Sequence, residues 1–192
     1  MLVQLNSRGY CRNTSGGFTF IELLVTIAMI GILGSLAIPS FRAFIINQQV
    51  SSASSDFFGS LLQARSEALK LGRIVAIFPT DGSNWTSGWY LSVVDNNCVA
   101  TGDPFGRTNP VGSFVSVKSS GTTKSFSSSS PSFAYNPVGY PYISCGSPFY
   151  SGQMNGTLTF QTLETSREKR IIVSMAGRAR ICDPKRETCT AD

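Results

Sequence analysis

Arginine and lysine side chains gather near the end of the chain, at a spacing that suits an anionic ligand. Gly177, Arg178, Ala179 and Arg180 follow an apolar run, and side chains two apart on a strand project from one face. Two guanidinium groups match the oxygens of a phosphate, and a glycine beside them lets a ligand approach closely. Further cations flank this pair: Lys169, Arg170, Lys185 and Arg186. The sequence therefore predicts a phosphate-binding surface.

The net charge lies in the same segment. The formal charge is +5 over 192 residues, yet residues 18–166 hold seven basic and seven acidic groups. Residues 167–192 hold seven basic groups against four acidic ones. Double-stranded DNA is one partner for such a surface, and its binding should be non-specific and salt-dependent because no base-reading helix is evident. An acidic surface on a neighbouring protein is the alternative.

Catalytic chemistry is disfavoured by what the chain lacks. It has no histidine, which excludes Ser-His-Asp and Cys-His catalysis and histidine-bound zinc or haem. The sequence shows no phosphate-binding loop, nucleophile–base pair or Cys-x-x-Cys spacing. We therefore predict that the protein is not an enzyme and holds neither a metal nor a cofactor.

A long apolar stretch near the N-terminus carries a single charge. Residues 18–38 include only Glu22 as a charged residue, and a helix of this length spans about 32 Å, enough to cross the hydrocarbon core of a bilayer. A carboxylate there is costly and needs a partner, such as an α-amine freed at Phe18. Arg8 and Arg12 should keep the preceding segment in the cytoplasm, so that the remainder faces the periplasm or the exterior.

Gly17, Phe18 and Glu22, followed by an apolar run that ends at Pro39, resemble the processing and assembly motif of type IV pilins and type II secretion pseudopilins. The resemblance implies cleavage between Gly17 and Phe18 by a prepilin peptidase, N-methylation of Phe18, and packing with other pilin subunits in a filament. It also implies insertion in the bacterial inner membrane before assembly into a pilus. The expected domains are a cleaved leader (1–17), a membrane and filament helix (18–45) and a periplasmic head (46–192).

The cysteines that would remain after cleavage offer three possible pairings. Cys182 and Cys189 enclose six residues, so we predict that they pair and leave Cys98 with Cys145, whereas Cys11 would be lost with the leader. Disulfides persist on the oxidising side of the membrane. The bridge between Cys182 and Cys189 would hold the basic tail as a closed loop.

The elements that must position these groups follow from hydrophobic spacing. A helix is predicted from about residue 18 to 71, with a kink at Pro39, a stop at Gly72 and an apolar stripe facing the core. The stripe consists of Val50, Ala53, Phe57, Leu61, Ala64, Ala68 and Leu71. Strands are predicted at 73–78, 88–94, 111–117, 157–162, 170–175 and 178–182, with a serine-rich loop at 125–130. The expected fold class is α+β, with the helix covering one antiparallel sheet.

A second resemblance narrows the class. The segment 63–68, the tryptophans Trp85 and Trp89, and the strand 170–173 leading into 177–180 are similar to the FimT/GspH type of minor pilin and pseudopilin. The FimT resemblance implies DNA uptake in natural transformation through Arg178 and Arg180. A purely structural pilin or pseudopilin is the alternative. Exposed helix charges are usually solvated, so Arg65 and Glu67 are expected to face water, and both tryptophans are expected to pack in the core.

Overall fold

One long helix, α1 (Phe20–Leu71), precedes eight short strands in the described part of the chain. The computed structural model describes residues 17–95, 99–120, 133–142, 156–162 and 164–189. The chain divides into two compact units, Met1–Phe41 and Arg42–Asp192. Among the described residues no single helix is long and apolar enough to span a membrane, although the bent pair Phe20–Ser35 and Ser40–Leu71 meets the requirement jointly.

The predicted stripe buries α1 within the second unit. Six of its seven residues are buried, whereas Leu71 is half-exposed because the helix ends there. Gly72 follows with φ of 60°, the left-handed conformation that ends many helices and that glycine adopts without strain. Phe57 lies at the centre of the stripe, and its ring contacts those of Trp85 and Trp89 with centroid distances of 5.1 and 5.0 Å.

The strands form two antiparallel sheets rather than the single sheet predicted. Their bounds are β1 Ile74–Pro79, β2 Trp89–Val94, β3 Ser116–Ser120, β4 Phe133–Tyr135, β5 Pro141–Tyr142, β6 Gly156–Gln161, β7 Glu168–Val173 and β8 Ala179–Cys182. The first sheet has the order β2-β1-β4-β5 and the second has the order β3-β6-β7-β8. Apolar side chains of both sheets join the α1 stripe in one core. The α+β class is confirmed.

The sequence analysis placed the start of one strand wrongly and missed two short strands. The predicted strand at 111–117 begins only at Ser116, because Val115 N–H closes a turn onto the carbonyl of Gly112. Val115 is nevertheless buried, which explains the apolar pattern. The short strands β4 and β5 were not predicted, although β4 pairs with β1 inside the first sheet. The serine-rich segment 125–130 lies outside the described residues.

Candidate functional site

The two predicted arginines lie on a hairpin between β7 and β8. Residues 174–178, called the arginine turn below, connect these strands. The Ser174 N–H donates to the Arg178 carbonyl at 2.9 Å, and the Gly177 N–H donates to the Ser174 carbonyl at 2.9 Å. Arg180 lies opposite Ile172 in the strand pairing. Because the Ser174–Arg178 bond continues the strand pairing, side-chain alternation places Arg178 and Arg180 on one face.

Gly177 occupies a different environment from the one its sequence context predicts. Its φ is 75° and it is buried, so it offers no open surface for a ligand. A Cβ atom at this position would overlap the carbonyl oxygen of Gly139 and lie 3.2 Å from Cε1 of Tyr135. Gly177 therefore allows the arginine turn to meet the turn between β4 and β5. Its predicted role in the close approach of a ligand is replaced by this packing role.

Arg65 of α1 holds the arginine turn from the helix side. Its Nη1 donates to the Gly177 carbonyl at 3.0 Å and its Nη2 donates to the Ala176 carbonyl at 3.2 Å. The prediction that Arg65 is a solvated helix charge was therefore wrong. Its position contains a signal that could have revealed this contact, because Arg65 is four residues after Leu61 and three before Ala68, both in the buried stripe. Glu67 pairs with Lys70 at 2.9 Å.

The turn that faces Gly177 is itself ordered by one side chain. The Asn136 side-chain oxygen accepts hydrogen bonds from the N–H groups of Val138 at 3.0 Å and Tyr140 at 2.9 Å. The Gly139 N–H donates to the Asn136 carbonyl at 2.9 Å. The arginine turn therefore packs against a second hydrogen-bonded turn. This turn and Arg65 of α1 together hold the backbone that leads into Arg178.

Three cations converge on one buried carboxylate beyond β8. Asp183 is 4% exposed, and its Oδ2 lies 3.2 Å from Arg167, 3.2 Å from Lys169 and 3.7 Å from Arg186. Arg167 was not among the predicted site residues. Burial acts most strongly and raises the pKa of Asp183. The Lys185 N–H, the hydrogen bond from Lys169, and the charges of Lys169 and Arg167 together outweigh burial and lower that pKa below its ordinary value.

The predicted basic residues therefore differ in what they contact. Lys169 and Arg186 bind Asp183, and Arg170 pairs with Glu168. Arg178 and Lys185 are exposed and form no ion pair with a carboxylate among the described residues. The sequence predicted the grouping of these charges along the chain but not their division between internal partners and solvent.

A disulfide bond between Cys182 and Cys189 closes the segment that follows β8. Their Cα atoms are 5.8 Å apart. Cys182 is the last residue of β8, so the bridge attaches the loop that carries Lys185 to the second sheet at both ends. Cys98 and Cys145, predicted to form the other bridge, lie outside the described residues.

The N-terminal helix begins with a reciprocal pair of hydrogen bonds. The Glu22 N–H donates to Oγ1 of Thr19 at 3.3 Å, while the Thr19 N–H donates to Oε2 of Glu22 at 3.4 Å. This is a capping box, and the Thr-x-x-Glu spacing in the sequence was a signal for it. Glu22 thus has a partner in its own helix. Its predicted partner, a freed α-amine at Phe18, stays a prediction, as do the roles of Gly17 and Pro39.

Comparisons with known proteins match both parts of the chain. The family model described as type II transport protein GspH matches residues 53–177, and that of the prokaryotic N-terminal methylation motif matches residues 12–38. The type IV major fimbrial protein FimA of Dichelobacter nodosus is 33% identical over 88 residues, which cover 45% of this chain and 56% of FimA. A fimbrial protein of Moraxella nonliquefaciens is 49% identical over 41 residues, covering 21% of this chain and 27% of the relative.

The matches therefore span from about a quarter to just over half the length of these curated relatives. Among solved structures, the type IV minor pilin FimU of Pseudomonas aeruginosa resembles this chain with a TM-score of 0.56 and 16% identity. The match covers 76% of this chain and 96% of FimU. At this identity the likeness establishes the fold alone.

Proposed function

The chain belongs to the type II transport protein GspH family and is a minor type IV pilin or pseudopilin, and from this premise we propose that it binds double-stranded DNA. The contact is made by Arg178 and Arg180, with Lys185 on the adjoining loop. In a pilus this surface would capture DNA for uptake in natural transformation. Binding by one copy is weak and independent of base sequence.

The observation that carries this proposal is the exposed Arg178 on a hydrogen-bonded turn. Arg178 has no carboxylate partner among the described residues, and Arg180 follows on the same face. A planar guanidinium can donate two parallel hydrogen bonds to phosphate oxygens. A base-reading helix is lacking in the described part of this unit, so the contacts address the DNA backbone and carry no sequence information.

The N-terminal half of the proposal concerns assembly. A prepilin peptidase cleaves between Gly17 and Phe18, and Phe18 is then methylated. The exposed apolar side chains of the first unit, from Phe18 to Leu33, supply the surface that packs against other pilins. Before assembly this segment anchors the protein in the inner membrane with the second unit in the periplasm. Glu22 sets the register between neighbouring subunits, and Pro39 introduces a kink in the helix.

Replacing Arg178 and Arg180 with alanine should weaken DNA binding and reduce its dependence on salt. Each lost phosphate contact lowers the slope of log affinity against log salt by about 0.9, so the double variant should lose about 1.8. Fluorescence anisotropy of a short labelled duplex, titrated with the processed chain in a neutral detergent over a series of salt concentrations, measures both quantities.

The matched control removes the same charge elsewhere. Arg73 donates to Thr101 at 2.9 Å, and Arg107 lies over the ring of Tyr90. Replacing both with alanine should leave the salt slope as in the wild type. If the two double variants behave alike, DNA binding reflects net charge alone and the assignment to Arg178 and Arg180 fails.

A purely structural role is the second candidate, and the contacts of neighbouring cations favour it. Lys169, Arg170 and Arg186 each bind a carboxylate of this chain, so a carboxylate from another subunit could meet Arg178 in the same way. DNA uptake and piliation measured together in the Arg178→Ala and Arg180→Ala double variant separate the two roles. Loss of uptake with intact filaments supports DNA binding, and loss of filaments supports the structural role.

A further inference from the structure

We propose that Arg65 is a positioning residue, which holds the arginine turn in the orientation that presents Arg178 to DNA beside Arg180. The inference rests on the proposed DNA binding and adds a residue outside the basic segment. Arg65 belongs to α1, more than a hundred residues before the turn, and its two nitrogens donate to the successive carbonyls of Ala176 and Gly177.

These hydrogen bonds fix the peptide plane from which Arg178 begins. The carbonyl of Gly177 and the N–H of Arg178 belong to one planar peptide group. Arg65 donates to the carbonyl end of that group at 3.0 Å, and the N–H end donates to Oγ of Ser174 at 3.3 Å. Both ends of the plane are therefore held, so the direction in which the Arg178 side chain leaves the backbone is set before a ligand arrives.

A second donor shares the Gly177 oxygen with Arg65. The Tyr135 hydroxyl donates to it at 3.3 Å. Burial raises the pKa of Tyr135 well above its ordinary value, more than the charge of Arg65 lowers it, so the hydroxyl keeps its proton. Without the Arg65 guanidinium, the Gly177 oxygen would still accept the hydrogen bond from the Tyr135 hydroxyl. The Ala176 oxygen would lose its hydrogen bond from Arg65. The expected result is a looser turn in a folded protein.

Lysine at position 65 separates this geometric role from a charge effect. A lysine ammonium keeps the positive charge but is a compact group that cannot reproduce the planar fork on two successive carbonyls. The net charge of the chain, and with it the long-range attraction to DNA, stays the same. Any change in DNA binding by Arg65→Lys must therefore come from the orientation and mobility of the turn.

Two measurements on the processed full chain in neutral detergent test the inference. Hydrogen exchange over residues 174–178 should be faster in Arg65→Lys than in the wild type. DNA affinity, measured with the same labelled duplex, should fall by up to about tenfold, because the Arg178 side chain that the wild type holds in place must then be ordered on binding. The salt slope should not change, since every cation is retained. Arg73→Lys, a charge-conserving change at an exposed arginine, should match the wild type in all three quantities.

The outcomes distinguish this inference from the proposed function. Wild-type exchange and wild-type affinity in Arg65→Lys overturn the positioning role even if the protein binds DNA. If Arg65→Lys exchanges faster but the wild type binds no DNA, the proposed function is overturned, and with it the presentation of arginines to DNA. That result would still establish that Arg65 holds the turn. If Arg65→Lys fails to fold, Tyr135→Phe removes one hydrogen bond from the Gly177 oxygen without altering charge, and should weaken DNA binding about twofold.

Discussion

Replacing Gly177 with alanine should destabilise the second unit by about 2 to 5 kcal/mol, the sum of backbone strain and a collision with neighbouring backbone. The φ of 75° is costly for any residue with a Cβ atom. The new methyl group would also overlap the carbonyl oxygen of Gly139, which cannot move aside without displacing the β4–β5 turn. Thermal unfolding should begin roughly 5 to 15 °C lower than in the wild type.

Tryptophan fluorescence measures this change in the full chain, because both tryptophans are buried in the core of the second unit. Gly82→Ala is the matched control. Gly82 has a φ of 77° but no atom within 4 Å of the position of an added Cβ, so it reports the backbone strain without the collision. We expect Gly82→Ala to cost about 1 kcal/mol. Equal losses in the two variants would mean that the contact between the turns contributes nothing.

The features that could be predicted from sequence are those set by local periodicity. The apolar spacing along residues 50–68 predicted the buried face of α1, since a helix places residues three and four apart on one side. Alternation within 178–182 predicted a strand that carries Arg180, and the short separation of Cys182 and Cys189 predicted the bridge that the structure contains. Each inference needed only neighbours along the chain.

The features that were missed depend on contacts between distant segments. The spacing of Arg65 places it beside the buried stripe but does not identify its partners, and only the return of the chain at residue 176 gives its guanidinium two carbonyl partners. Gly177 suggested an open approach for a ligand, because the sequence does not show that the turn at Gly139 lies against it. The three-residue strand β4 is too short for alternation to distinguish it from a loop.

The ion cluster at Asp183 changes what the basic segment can offer to DNA. Charge counting treats all seven basic residues of 167–192 as available, but Arg167, Lys169 and Arg186 share one buried carboxylate. Moving any of them to a phosphate would require giving up that contact. The phosphate contacts of one copy are therefore fewer than the sequence suggests, which makes multiple copies in a filament the natural source of strong DNA capture.

Replacing Asp183 with asparagine should destabilise the second unit by about 2 to 4 kcal/mol at neutral pH, because a buried charge partner is lost while three cations remain. This range begins below the usual value of about 3 to 5 kcal/mol for buried pairs, since the Arg186 side chain is 80% exposed and can return to water. The asparagine side chain keeps an oxygen that can accept the hydrogen bond from the Lys185 N–H. The substitution therefore removes mainly the negative charge. DNA affinity should rise in the same variant, since three cations are released and one negative charge is lost.

The pH dependence of this variant tests the charge directly. The pKa of Asp183 is lower in the folded protein than the value of about 3.9 expected after unfolding. Its carboxylate therefore stabilises the fold fully above about pH 4, and this stabilisation disappears as the pH falls through the lowered native pKa. Urea unfolding followed by tryptophan fluorescence should show a difference in the free energy of unfolding between wild type and Asp183→Asn that is full at about pH 7 and narrows as the pH falls below the ordinary carboxyl pKa of about 3.9.

Asp103→Asn provides the matched control, since Asp103 is exposed and the substitution is chemically the same. It should change the free energy of unfolding by less than about 0.5 kcal/mol. A gap for Asp183→Asn that persists unchanged in acid would contradict the argument, because packing of the amide, rather than loss of the carboxylate charge, would then cause the destabilisation. A fall in DNA affinity despite the added net charge would instead show that Asp183 holds its cations where phosphate needs them.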